Sequence, residues 1–272
     1  MLNINLGPLT MQVSHVLLAL SLLVAAGVGH LVGRRQHVGI ADTLIEMLLV
    51  ALLAARLVFV LIWFEQYRQA PWTIIDIRDG GFERWTGVGV ALVFVSWRGW
   101  RKPALRRPLM LGLLAGVLAW SMSGAPGMLH MTNLAPLPTV RLTTLAGAST
   151  TLAKLSAGKP MVVNLWASWC PPCRREMPVL SAAQQHESGV TFVFVNQGES
   201  ASVAASYLAA EKFALTNVLL DSGTLLGKAI GSTALPTTLF YDARGRLVDT
   251  HLGTLSAGSL ASKLQRLRAS DF

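Results

Sequence analysis

Two apolar runs in the first quarter of the 272-residue chain, Met11 to Val32 and Thr43 to Phe64, each match the length needed to cross a bilayer. A spanning helix takes about 20 mostly apolar residues. In hydrocarbon, a lone segment satisfies its backbone hydrogen bonds only as a helix. These runs therefore restrict the N-terminal part to helices with lipid as solvent. Two shorter candidates follow, Trp85 to Trp97 and Pro108 to Met122. The third span is short and either recruits Gly80 to Phe82 or thins the bilayer locally. The expectation is an α-helical membrane region of about four transmembrane helices over residues 1–122.

The formal net charge of +9 is spread along the chain: residues 1–125 carry 11 Lys/Arg against 6 Asp/Glu, and the remainder 12 against 8. In the first part the basic residues lie between apolar runs. That pattern reports membrane topology and not a phosphate-tracking face, which argues against nucleic acid as a partner. Arg34 and Arg35 follow the first span, and Arg98, Arg101, Lys102, Arg106 and Arg107 lie between the third and fourth. The positive-inside rule puts both loops in the cytoplasm. The N-terminus and, after four crossings, the C-terminal domain then lie on the periplasmic side of a bacterial inner membrane. The first span is not read as a cleavable signal peptide, because its arginines follow it. Glu46 and Arg56 sit inside the second span. Either they form a functional polar site, or Glu46 snorkels from the cytoplasmic end and Arg56 is paired by another helix.

From Ser123 to Thr139 the chain is rich in proline and glycine and has no acidic or basic charge. It reads as a semi-extended tether. Met128, His130 and Met131 are ligand types that suit copper, but one histidine without strict spacing reads as plain linker.

The two cysteines of the chain sit together in Trp169-Cys170-Pro171-Pro172-Cys173, after an apolar strand-like run and before a helix-like one. A pair two residues apart at such a junction is the arrangement of a dithiol/disulfide redox centre. The zinc alternative needs two further ligands, and the histidines supply no second pair at ligand spacing. At the helix start, unpaired N–H groups and the dipole favour a Cys170 thiolate. A thiol with pKa ~8.5 is about 3% ionised at pH 7, and one near 7 about half ionised, a gain of roughly fifteenfold in attacking species. Cys170 is the expected nucleophile and Cys173, one turn on, the resolving thiol. Pro171 suits the first helical position and Pro172 removes a second unpaired donor. Trp169 is expected to shield the thiolate and meet the partner, Trp166 to be core. Arg174 and Arg175 either assist the thiolate or form a solvated basic face.

Around this motif, strands at Val140 to Leu145, Met161 to Ala167, Thr191 to Gln197 and Asn217 to Leu220 alternate with helices. A hairpin turning at Ala243-Arg244-Gly245 and a final helix from Ser256 to Arg268 follow. This is the order of the thioredoxin fold. The division expected is 1–122 membrane region, 123–139 linker and 140–272 α/β thioredoxin-like redox domain.

WASWCPPC with CRREMP resembles the TlpA/ResA-like branch of thioredoxin-fold thiol-disulfide oxidoreductases, which includes reductases of cytochrome c maturation. The resemblance implies that Pro236, in Leu235-Pro236-Thr237-Thr238, is the cis-proline beside the active-site sulfurs. It implies that Glu176 tunes the buried cysteine and shuttles its proton. Bottom-up, Glu176 lies three residues after Cys173 on one helix, where a carboxylate would raise a neighbouring thiol's pKa; the other reading is a solvated surface residue. Asn164 stands where thioredoxin has a buried acid. LGPLTMQ, LVGRR, AARLVFVLIW and PWTIIDIRDGG resemble the N-terminal half of prolipoprotein diacylglyceryl transferase. Arg56, Asp79, Gly80 and Gly81 match there, but Trp85 stands where that family has histidine, and its later helices are replaced.

The function expected is a membrane-anchored, extracytoplasmic protein thiol-disulfide oxidoreductase working as a TlpA-like reductase. Its only redox group is the Cys170–Cys173 disulfide, with no cofactor and no metal. Its partners are protein thiols or disulfides, the lipid bilayer, and a separate membrane electron donor of the DsbD/CcdA kind, since the membrane half has no cysteine. An oxidase or isomerase using the same site is the first alternative. A lipid- or prolipoprotein-associated protein with a redox appendage is the second, and a scaffold that docks a partner is the third.

Overall fold

The computed structural model describes residues 3–6, 9–34, 39–68, 70–124 and 135–270. The chain divides into two compact units that interleave in sequence. Residues 2–64 and 81–130 form a helical unit, and residues 65–80 and 131–272, with residue 1, form a second unit. Met128, His130 and Met131 lie outside the described residues.

The helical unit opens with an antiparallel hairpin, β1 (Asn3–Leu6) and β2 (Leu9–Gln12), where no strand was expected. Helix α1 (Val13–Gly33) and α2 (Ala41–Ile62) follow. Both are long and apolar enough to cross a membrane, and they leave Leu20, Leu23, Leu53, Leu57 and Leu61 exposed. After a helical turn, α3 (Phe64–Tyr67), helices also stand at the other two expected positions: α4 (Arg84–Arg101, 18 residues) and α5 (Arg106–Met122, 17 residues). They fall short of the same measure, α4 because three arginines dilute it and α5 by length. Two apolar helices, not four, thus meet the spanning criterion among the described residues.

Small residues let α1 and α5 approach closely. A Cβ at Gly112 would fall 2.6 Å from Ala25 O, and one at Gly116 2.9 Å from Ala25 Cβ. Glycine spacing of this kind lets two helix backbones approach closely. The ionisable residues of α2 are engaged. The buried Arg56 donates from Nη1 to Gly81 O at 2.8 Å and lies over the Phe82 ring. The loop before α4 thus supplies part of the hold on Arg56. Glu46 is ion-paired with Arg98 of α4 instead of snorkelling alone.

The second unit is built on a seven-stranded sheet of order β4-β3-β7-β6-β5-β8-β9. Its strands are β3 (Leu142–Thr144), β4 (Ser149–Thr150), β5 (Met161–Trp166), β6 (Thr191–Gln197), β7 (Val218–Asp221), β8 (Thr237–Tyr241) and β9 (Leu247–Leu252). Strands β5, β6 and β7 run parallel, β8 adds antiparallel to β5, and β9 antiparallel to β8. The helices are α6 (Leu152–Ser156), α7 (Pro171–His186), α8 (Ala201–Ala210), α9 (Leu225–Ala229) and α10 (Ala257–Ala269).

Every residue of β5 is buried, because helices cover both sheet faces. Val162, Trp166, Phe194 and Phe240 meet Met177 of α7, Leu208 of α8 and Leu264 of α10 on one face. Val163, Leu165, Val195 and Leu239 meet Leu152 of α6 and Leu226 of α9 on the other. The period-2 alternation of β5 puts Asn164 on the α7 face with Val162 and Trp166.

Two features depart from the expected division. The described end of the linker is not a free tether: Leu137 N donates to Gly245 O at 3.0 Å and Leu247 N to Ala135 O at 2.9 Å. Residues 65–80, expected as a loop of the membrane region, cluster with the sheet.

Candidate active site

Strand β5 delivers the chain to Ala167, and Ser168 and Trp169 carry it to the start of α7. Cys170 is the N-cap residue, with extended backbone angles, and its Sγ accepts the Cys173 N–H at 3.3 Å. Pro171 and Pro172 fill the first two helical positions, where a missing N–H costs no helical bond. Cys170 and Cys173 are joined as a disulfide with Cα atoms 5.3 Å apart. Cys173 is wholly buried and Cys170 retains 3% exposure. A helix N–H aimed at Cys170 Sγ stabilises negative charge there once the disulfide is opened.

Trp169 is 68% exposed. It stands out from the surface instead of sealing the sulfurs, and with Gln197, Thr233 and Leu235 it lines a cavity of about 270 Å³. Trp166 is core, stacked at a tilt on Tyr207. Arg174 is not aimed at the sulfurs: it pairs with Glu211 at 2.8 Å and lies over Tyr207. Arg175 is exposed.

The Leu235–Pro236 peptide is cis. Pro236 leads directly into β8, whose Thr237 and Thr238 lie opposite Leu165 and Asn164 of β5. Leu235 packs on the cluster that contains both cysteines.

Glu176 is completely buried, so the solvated-surface reading fails. Its Oε1 accepts from Asn164 Nδ2 at 2.7 Å, and its Oε2 from the Leu255 amide at 3.0 Å. Asn164 also donates to Thr238 Oγ1 at 3.0 Å, which ties α7, β5 and β8 together under the disulfide. Loss of solvent pushes the Glu176 carboxyl up to about 8, against the two donors, which favour its ionised form. A carboxyl held in that range takes up or gives away a proton near neutral pH.

One acidic side chain escaped the sequence reading. Glu199 accepts from the Ser168 amide at 2.8 Å, from Ser168 Oγ, and from Asn196 Nδ2. It pins the loop that carries Trp169 and Cys170. The available signal was an acid placed just beyond the buried strand TFVFVNQ.

A redoxin family model matches residues 133–266. The chain is similar to thiol:disulfide interchange protein HelX of Rhodobacter capsulatus, 35% identical over 133 residues that cover 48% of this chain and 74% of that one. It is similar to thiol:disulfide interchange protein DsbE of Pseudomonas fluorescens biotype C, 33% identical over 136 residues, 48% and 75% of the two chains. It is also similar to thiol-disulfide oxidoreductase ResA of Halalkalibacterium halodurans, 31% identical over 115 residues, 41% and 64% of the two. Such oxidoreductases work through a cysteine pair without a cofactor, and here the pair is Cys170–Cys173. A disulfide at the head of a helix, on a sheet of this order, in a chain with these relatives, makes the protein a member of the thioredoxin-like thiol:disulfide oxidoreductases and its second unit a protein-disulfide oxidoreductase domain.

Proposed function

We propose that the protein is a membrane-anchored, extracytoplasmic disulfide reductase of the TlpA-like branch, with Cys170 as nucleophile and Cys173 as resolving thiol. The observation that carries the assignment is the N-cap position of Cys170, whose sulfur accepts a helix N–H while Cys173 is sealed in the core. In the reduced protein, the Cys170 thiolate attacks a substrate disulfide, forms a mixed disulfide and releases one substrate thiolate. In its ionised form Glu176 takes the Cys173 proton, and the Cys173 thiolate attacks Cys170 Sγ. The Cys170–Cys173 bond forms, the second substrate thiol leaves, and two electrons have passed to the substrate. Leu235 and the exposed Trp169, next to the buried cis-Pro236, form the surface the substrate meets.

Membrane residence is supported by α1 and α2, and the outward orientation by the arginines that follow α1 and those at the end of α4 and the start of α5. With no cysteine outside the motif, re-reduction falls to a separate membrane donor of the DsbD/CcdA kind. Lipid is the solvent of the helical unit. Its transferase resemblance stops short of transferase activity, because Trp85 replaces the expected histidine and stands exposed.

Trapping tests the assignment. Cys173→Ser should accumulate a mixed disulfide between Cys170 and its substrate; trapping through Cys173 in Cys170→Ser instead would reverse the roles. A reduction potential near about −270 mV fits a reductase, and one near about −120 mV an oxidase.

A further inference from the structure

The segment Glu65–Gly80, which separates α2 from α4 in sequence, belongs to the redox unit and buries two polar side chains in it. Tyr67 is fully buried and Asp79 is 3% exposed. Tyr67 OH donates to Asp79 Oδ2 at 2.6 Å, and Ser256 Oγ donates to the same oxygen at 2.7 Å. The Tyr67 ring lies on Gly258, where any Cβ would fall 2.4 Å from Cε2. Ser256 is the N-cap of α10 and shares a reciprocal capping box with Ser259. Leu255, the residue before it, donates its amide to Glu176 Oε2. A continuous path therefore runs from Tyr67 and Asp79 through Ser256 and Leu255 to the buried acid.

The capping box alone satisfies the start of α10. Burying a carboxyl and a phenol beside it is costly unless both are hydrogen-bonded, and here Ser256 Oγ, on the residue that follows Leu255, meets both Asp79 Oδ2 and Tyr67 OH, the latter at 3.2 Å. We propose that Tyr67 and Asp79 are positioning residues for thiol-disulfide exchange: they fix Ser256, and with it the Leu255 amide, against Glu176. The proposal rests on the reading of Glu176 as the proton-handling group.

The groups around that carboxyl are few. Asn164 faces it from β5 and the Leu255 amide from the start of α10, and Cys173 precedes it by one turn of α7. Near the α10 start are His251 of β9, whose Nε2 meets Thr254 O, the Lys263–Asp249 pair, and Asp79 itself. The Glu176 carboxyl responds to desolvation and its two donors, not to an ionised neighbour. Loss of the amide donor therefore moves it upward.

The experiment uses the full chain in detergent micelles, oxidised and labelled with 13C at the glutamate carboxyls, with Glu176→Gln to assign the resonance. Asp79→Ala should raise the Glu176 titration midpoint by about one pH unit, the size of one lost hydrogen bond to a carboxylate. Asp79→Asn, whose side-chain oxygen accepts from both hydroxyls, should stay within about 0.3 of the parent, on the same scale. Tyr67→Phe keeps the ring on Gly258, removes the hydroxyl that meets Asp79 and Ser256 but leaves the Ser256–Asp79 bond, and should shift the midpoint upward by about half as much. It carries the test if Asp79→Ala does not fold. An unmoved midpoint in Tyr67→Phe, or in a folded Asp79→Ala, overturns the proposal. So does an Asp79→Asn midpoint that moves away from the parent, because charge and not the clamp would then be what Glu176 feels. If the midpoint shifts but the pH inflection of exchange does not follow it, the role of Glu176 in exchange fails while the positioning stands.

Discussion

Glu176 is buried with donors on both oxygens, and its proton affinity is raised because no water replaces what burial removed. This has a thermodynamic consequence. Between the ordinary value of 4.5 and about 8 the folded domain holds a proton that the unfolded chain has lost. Stability therefore falls as pH rises through that window, by about 5 kcal/mol over the whole shift. Native-state hydrogen exchange of the β5 amides between pH 5 and 8 should report this decline, and Glu176→Gln should flatten it. An equal slope in the two proteins would mean that Glu176 is not the group responsible. Glu199→Ala removes the acceptor of the Ser168 amide and should cost about 1–3 kcal/mol. Faster alkylation of Cys170 in the reduced variant is the accompanying sign of a loosened loop. The cysteines, Pro236 and Glu176 are legible in the sequence because they are fixed offsets within two short motifs. The Tyr67–Asp79–Ser256 cluster is not, since its members are separated by up to 189 positions and only the fold brings them together.

Among the elements, the buried strands were the most legible. Met161–Trp166 and Thr191–Gln197 are mostly apolar runs without polar alternation, which suit a sheet covered on both faces. β4 and the β1–β2 hairpin were not, because two to four residues carry too little alternation to separate strand from turn. Helix α5 shows what periodicity leaves out. Its spacing of Gly112 and Gly116 reads as a weakened helix, whereas the structure uses both glycines as contact points for α1. Gly116→Leu must displace Ala25 and the Ser21 carbonyl, both on the α1 backbone or at its Cβ. The helical unit in detergent should lose about 1–3 kcal/mol. Thermal unfolding followed by helix content checks this, with full-chain exchange activity at 25 °C expected to stay within about twofold of the parent, because no group named in the site belongs to the helical unit.

For the whole molecule, the redox unit is interleaved with the helical unit in sequence: it takes in both the stretch between α2 and α4 and everything after residue 130. Residues 65–80 therefore serve the redox unit, although composition assigns them to the membrane region. The proposed topology makes two predictions. A reporter fused after Phe272 should be active on the periplasmic side and silent in the cytoplasm. In cells without the membrane thiol donor, Cys170–Cys173 should stay oxidised, as judged by thiol-alkylation gel shifts. A reduced pair there would mean that this chain has another electron source.

What the sequence by itself determined is local: a single cysteine pair at a strand-to-helix junction, the apolar lengths of α1 and α2, and the order of strands and helices around the motif. Each depends on residues within a helical turn or a strand of one another, so periodicity and spacing carry them. Only the tertiary structure decided that Glu176 is enclosed, that Glu199 pins the Cys170 loop, and that Tyr67 and Asp79 reach the start of α10. Those facts depend on desolvation and on hydrogen bonds between distant segments, and neither exists until the chain has folded.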